Sequence, residues 1–291
     1  MSRRRALGLL GVAGAAVVGV AEAVRSRGRI GPRPQIVAGT TRSVERYGEQ
    51  AHRTGEWWLP PAAGPRPTVV LVHGGYWRPG YDRHLEDAVA ADLAGRGYLV
   101  WNIDYSPSSR PWPATLADVA AGYDHTFVGE HAARVDRDRV AVVGHSAGGQ
   151  LALWLAGRPR IGPSEVGTVH PGYVVPALAV GQAPVAALTL AAQQGLGGGA
   201  VAALLGGTPA QVPLRYAVAD PVALLPTGIR TVLIHGRADT AVPFSQSEAY
   251  LAAATAAGGS CRLAEVPGDH FVHLDPRTEA VARLREALDR W

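Results

Sequence analysis

The chain of 291 residues contains no lysine; all 28 of its basic side chains are arginine. That absence removes several chemistries at once. There can be no lysine Schiff base, no Ser–Lys dyad and no P-loop lysine. Cysteine occurs once, at Cys261, which excludes an intrachain disulfide and any multi-cysteine zinc site. Cys261 stands in a largely apolar run with Leu263, Ala264 and Val266 and reads as a core residue. Charge is sparse too, at 18% of residues, and the net charge is +4. No basic run exceeds Arg3-Arg4-Arg5, so no nucleic-acid partner is expected.

What the chain does have is apolar material: 47% hydrophobic residues, enough for one large α/β domain or two small ones. Residues 1–23 read as an export signal. Arg3, Arg4 and Arg5 precede an uncharged run over 6–20, and Ala21-Glu22-Ala23 supplies an A-x-A cleavage site. Ser2-Arg3-Arg4 followed by Leu7 resembles a twin-arginine signal. The protein is therefore expected to be exported, with membrane attachment only if residues 6–23 stay uncleaved as an anchor.

Residues 24–66, rich in Arg, Gly and Pro, read as a linker followed by an edge strand or hairpin near 53–59. From residue 67 onward, strands and helices alternate. Short β-branched or apolar runs at 68–73, 98–104, 140–143, 229–235 and 261–266 have the look of buried parallel strands. A weaker strand is expected over 176–183. Helices are expected over 85–96, 115–134, 245–257 and 278–291, and one follows Ser146. The segment 184–225 is rich in Ala, Leu and Gly and reads as a helical cap insertion. Its Gly195-Leu196-Gly197-Gly198-Gly199-Ala200 fits G-x-G-x-x-A, but no strand leads into it directly, so it reads as a loop rather than a dinucleotide site. The alternation predicts an α/β fold with a mostly parallel sheet covered on both faces.

The chemistry centres on Gly144-His145-Ser146-Ala147-Gly148-Gly149. A strand before G-x-S-x-G and a helix after it hold the serine on a sharp turn above a helix N-terminus. A serine hydroxyl is a weak nucleophile and needs a base, usually a histidine oriented by a carboxylate. Asp239 and His270 each follow a predicted strand and give the chain order Ser146, Asp239, His270. Asp220 and Asp269 are the rivals for the acid, and His273 is the rival for the base. Ala147 should offer one backbone N–H to an oxyanion. Gly75 and Tyr76, in His73-Gly74-Gly75-Tyr76-Trp77, should offer others. Trp77 is a candidate substrate contact, and His73 reads as a structural partner of its loop. A metal held by Asp269, His270, His273 and Asp275 finds no further ligand in the sequence. No metal or cofactor is expected.

On these motifs the chain resembles the α/β hydrolases of the esterase/lipase superfamily. Within them it is most similar to the kynurenine formamidase (arylformamidase) group. That group's His-Gly-Gly-x-Trp pattern is met at residues 73–77 and its elbow at 144–149. The segments 235–239 and 268–271 match its acid and base loops, and Tyr47-Gly48 is similar to what precedes its first strands. The resemblance implies the α/β-hydrolase fold and a small ester or amide substrate cleaved through an acyl-enzyme. Relatives carry an acidic residue where this chain has Ala187, and an exported enzyme would rarely meet N-formylkynurenine. An ester hydrolase is therefore the leading expectation. An arylformamidase, an exported peptidase and an inactive binding protein are the alternatives.

Overall fold

A computed structural model describes residues 31–163 and 165–291. The export segment at 1–23 and the start of the linker lie outside the described residues. The central sheet has eight strands: β1 (Thr41–Arg46), β2 (Thr54–Leu59), β3 (Arg66–Val72), β4 (Leu99–Ile103), β5 (Val135–His145), β6 (Leu178–Gln182), β7 (Arg230–Gly236) and β8 (Cys261–Val266). Their spatial order is β1-β2-β4-β3-β5-β6-β7-β8. β2 pairs antiparallel with β1 and with β4. Every pairing from β4 through β8 is parallel. This is the α/β-hydrolase fold.

Period-two alternation separates two cores. Val70, Val72, Val140 and Val142 face one layer, built on α2 (Ala114–His125) and α3 (Ala147–Gly157). Val69, Leu71, Ala141 and Val143 face the other, covered by α1 (Asp87–Gly95) and α8 (Glu279–Asp289). α8 buries Ala280, Val281, Leu284, Ala287 and Leu288, a stripe at helical spacing, and Thr278 caps it by accepting from Val281 N. The remaining helices are α4 (Leu188–Gln193), α5 (Ala200–Leu205) and α6 (Pro213–Ala219), all within the expected cap segment, and α7 (Ser245–Ala256). Among the described residues, no helix is long and apolar enough to cross a membrane.

Three local expectations differ from the structure. The segment before residue 67, expected as a linker with an edge strand or hairpin near 53–59, forms an antiparallel hairpin: β2 is an internal strand, with Trp57 and Trp58 fully buried, and β1, further upstream than expected, forms the edge. β1 escaped notice because its TRSVER sequence is largely solvent-facing. The helix expected over 115–134 ends at His125. The chain turns there through Gly129, which packs against the His125 ring and Glu45 where a Cβ would not fit. β5 begins at Val135 rather than 140, because Val135 pairs with Arg66 ahead of a bulge.

β3 and α3 approach each other backbone to backbone. A Cβ on Gly148 would sit 2.0 Å from the Val72 carbonyl oxygen, and one on Gly144 would sit 2.1 Å from the Gly148 carbonyl oxygen. Neither neighbour is a side chain that could rotate away. Gly148→Ala should therefore destabilise the protein by about 3 kcal/mol or prevent folding, since overpacking outweighs the roughly 1 kcal/mol helix preference for alanine. Gly162→Ala, with nothing within 4 Å of its Cβ, should stay within about 0.5 kcal/mol. Urea midpoints of the two variants check this, and equal midpoints would show that β3 and α3 can part to admit a methyl group.

Candidate active site

The residues singled out at the elbow, the first loop and the last two parallel strands meet at the C-terminal edge of the sheet. Open α/β sheets place their sites there. Ser146 joins β5 to α3 with φ 58° and ψ −120°. Among the described residues, the non-glycine positions with positive φ are Tyr76, Trp77, Ser146 and Ala183, each just past the end of β3, β5 or β6. Such strain persists only where surroundings hold it, and it gathers at functional sites. Ser146 is held by its N–H donating to Gln182 O at 2.8 Å and by its carbonyl accepting from Val185 N at 3.2 Å. Ala147 opens α3, so its N–H is one of the unpaired donors of a helix N-terminus.

Asp239 and His270 are brought together. His270 Nδ1 lies 2.7 Å from Asp239 Oδ2, and Asp239 Oδ1 accepts from Ala241 N and Val242 N at 2.8 Å each. His235 Nε2 lies 3.2 Å from Asp239 Oδ2 and 3.0 Å from Val242 O. Both of those partners are acceptors, so that nitrogen carries the proton. Burial alone would push the Asp239 carboxyl upward. The bonds from His235 and His270 and the charge on His270 outweigh it and hold the group well below the usual carboxylate range. Asp239 is thus a fixed anion whose Oδ2 orients His270 through Nδ1 and leaves Nε2 as the acceptor.

The rivals are engaged elsewhere. Asp220 caps the turn after α6, accepting from Val222 N, Thr189 N and Thr189 Oγ1. Asp269 accepts from the nearby Phe271 N. His273 is fully buried, and neither ring nitrogen has a hydrogen-bond partner among the described residues. His73 donates from Nδ1 to Gly74 O, stacks on Tyr105 at 4.2 Å, and takes no part beside Ser146.

Gly75, Tyr76 and Trp77 have φ of 111°, 51° and 55°, a consecutive left-handed run directly after β3. Gly74 is close to the elbow: a Cβ on it would lie 3.0 Å from Ser146 Cβ. Trp77 does not fit the expected role of substrate contact. It is 1% exposed, and its indole N–H donates to Gln150 Oε1 at 3.2 Å, so it pins the loop to α3. Tyr76 packs beneath Gly197 of the glycine-rich stretch, where φ is positive at Gly195, Gly197, Gly198 and Gly199, and its hydroxyl donates to Ala241 O.

Two residues of the site went unassigned in the sequence. His145 bonds through Nε2 to His270 O at 2.9 Å, and His235 supports Asp239. Both stand at or beside the C-terminal end of a parallel strand, which was the available signal.

A family model described as BD-FAE matches residues 58–253. Carboxylesterase NlhH of Mycobacterium tuberculosis is 38% identical over 105 residues, 34% of this chain and 32% of that protein. The putative esterase NocK of Nocardia uniformis subsp. tsuyamanensis is 30% identical over 168 residues, 51% of this chain and 46% of that protein. The chain thus spans between 32% and 46% of the length of these curated relatives. Among solved structures, esterase B of Lactobacillus rhamnosis matches with a TM-score of 0.77 at 21% identity, covering 95% of this chain and 94% of that one. At that identity the likeness shows the fold alone.

The buried imidazole of His273 gives a pH prediction. Burial first, then the charges of His270 and His235, lowers its pKa from 6.5 to about 3. The unfolded chain therefore binds the proton more readily between those values, so stability should fall as pH drops from about 6.5 toward 3. His273→Leu should flatten that fall by up to about 1.4 kcal/mol per pH unit and cost little at pH 7. Chemical denaturation at pH 7, 5.5 and 4.5 measures it, and an unchanged slope would place the acid sensitivity elsewhere.

Proposed function

The chain belongs to the BD-FAE family, and from that premise we propose that it is a serine hydrolase cleaving carboxylic esters through an acyl-enzyme. The observation that carries the proposal is the 2.7 Å bond from His270 Nδ1 to Asp239, tied to the strained elbow at Ser146 by the bond from His145 to His270 O. In this reading, Ser146 Oγ attacks the ester carbonyl carbon as its proton passes to His270 Nε2. The N–H groups of Ala147, Gly75 and Tyr76 stabilise the tetrahedral oxyanion. The intermediate collapses, breaking the ester C–O bond, and His270 returns the proton to the leaving alcohol. Water then cleaves the acyl-enzyme by the same steps. Asp239 keeps the imidazole in one tautomer and steadies the imidazolium.

The ester class draws support from the names of the relatives, carboxylesterase NlhH and putative esterase NocK. The arylformamidase resemblance rests on loops that serve many acyl transfers, and the same machinery would act on an N-formyl amide. A panel of short acyl esters, N-formyl aryl amides and dipeptide amides separates these readings. Short esters should be the preferred class, and Ser146→Ala should lower their turnover on the order of 10⁶-fold. His270→Ala should fall nearly as far, and the double variant little further. His273→Ala should cost about tenfold or less. Preference for the formyl amides would move the assignment to the formamidase, and a fully active Ser146→Ala enzyme would end the serine mechanism.

We further propose export, on the pattern at residues 1–23. The protein taken from its native host should begin at Val24. Recovery of full-length chain from the cytosol would reject it.

A further inference from the structure

We propose that Glu56, His84 and Asp87 form a binding site for one divalent transition-metal ion, zinc by preference. Among the described residues, this is a group in which three potential ligand atoms, two carboxylate oxygens and one imidazole nitrogen, lie within 4.8 Å of one another. It is separate from the serine site. Glu56 projects from β2, where it pairs across to Val44 and Asn102. His84 lies in the 3₁₀ turn Arg83–Glu86, and Asp87 opens α1. The three ligands thus come from three elements, β2, the 3₁₀ turn and the first residue of α1.

The second observation is the state of Glu56. It is 5% exposed, and its Oε2 has no hydrogen-bond partner among the described residues. Its other oxygen lies 3.6 Å from Arg42 Nε, longer than a hydrogen bond. Arg42 is half-exposed and spends its guanidinium over the Trp58 ring at 4.8 Å. A carboxylate buried with an idle oxygen is costly, and it is accounted for by a bound ion or water. Asp87 is likewise buried, so the walls of the site are fixed. His84 is exposed and bonds Asp87 Oδ2 through Nδ1 at 3.1 Å, so its ring can swing onto the ion without disturbing the core.

The ligand chemistry selects the ion. One imidazole and two carboxylates suit zinc or manganese, whereas calcium and magnesium favour all-oxygen shells. Tetrahedral zinc holds its ligands about 3.3 Å apart at bond lengths of about 2.0–2.2 Å. The group must therefore contract by roughly 1.5 Å at most, a movement within reach of the His84 side chain. Three protein ligands leave a fourth position for water. Arg42 stands beside the site as a competing cation, which predicts moderate affinity.

The test is isothermal titration of the untagged full chain with zinc alone, on wild type, His84→Ala, Glu56→Gln and the control His170→Ala. His84 and His170 are both exposed, so their variants will fold, and a cooperative unfolding transition verifies folding in each case. Wild type should bind one zinc ion saturably. Both His84→Ala and Glu56→Gln should weaken it by at least about tenfold, and His170→Ala should not. Magnesium should bind more weakly than zinc. No saturable zinc binding, binding that either ligand variant leaves within twofold, or a preference for magnesium would overturn the site. None of these readouts depends on the serine mechanism being right.

Discussion

The whole candidate active-site edge hangs on two backbones that touch. α3 starts so close to β3 that Gly148 has no room for a single carbon beyond its own backbone, and Gly144 is packed as tightly against Gly148. Because α3 begins there, its N-terminal N–H groups point at the space above Ser146, and the strand-to-helix turn has no room to relax. The strain at Ser146 then follows from packing. A non-glycine residue in that conformation costs on the order of 1–3 kcal/mol, offset by the bonds Ser146 makes to Gln182 and Val185. Remove the contact and the serine has no reason to stand proud of the sheet.

Electrostatically the site combines one held anion, Asp239, with buried imidazoles pushed toward the neutral form at His73, His145 and His273. Burial drives the pKa of His73, His145 and His273 down in each case. Four hydrogen-bond donors hold Asp239 as a carboxylate. This division matters for a base. Several neutral rings can pack close to His270, with His145 at 4.6 Å, without adding positive charges that would oppose its protonation. One charged group is left to favour the imidazolium. In the proposed mechanism this buried network holds His270 in place for proton transfer.

Much of this was legible in the sequence, for a physical reason: the parallel strands are continuous apolar runs, and the site residues follow their C-terminal ends at fixed positions. Ser146, Asp239 and His270 all carried that mark. What escaped was whatever depended on contacts distant along the chain. Trp77 looked like a substrate contact because an aromatic beside a glycine loop often is one. Nothing local says that its indole is spent on Gln150, 73 residues on. His145 received no role from the sequence, and its bond to the carbonyl of His270 spans 125 residues. Nothing in the local sequence marks Arg158 either. It is buried, forking onto Asp124 at 2.7 and 3.0 Å and stacking on Tyr173. β1 was missed for the opposite reason, having too little burial to leave a pattern.

The loop from His73 to Glu86 shows how such long-range contacts make a strained element affordable. Tyr76 and Trp77 both have positive φ, which neither side chain favours. The chain leaving β4 holds the loop along its length. Tyr105 Oη donates to His73 O at 2.8 Å, Ser108 N donates to Trp77 O at 2.6 Å, and Asp104 accepts from Arg83 N at 2.8 Å and pairs with its guanidinium. Asp104 is in turn fixed by Thr54 Oγ1 at the start of β2. The backbone donors that would face an oxyanion are therefore set by a neighbouring strand exit rather than by the loop's own sequence. The glycines permit the shape, and the residues at 104–108 select it. The last turn of that loop carries His84, whose ring lies within 4.8 Å of a Glu56 carboxylate oxygen on β2, so the two sites share one loop, at its opposite ends.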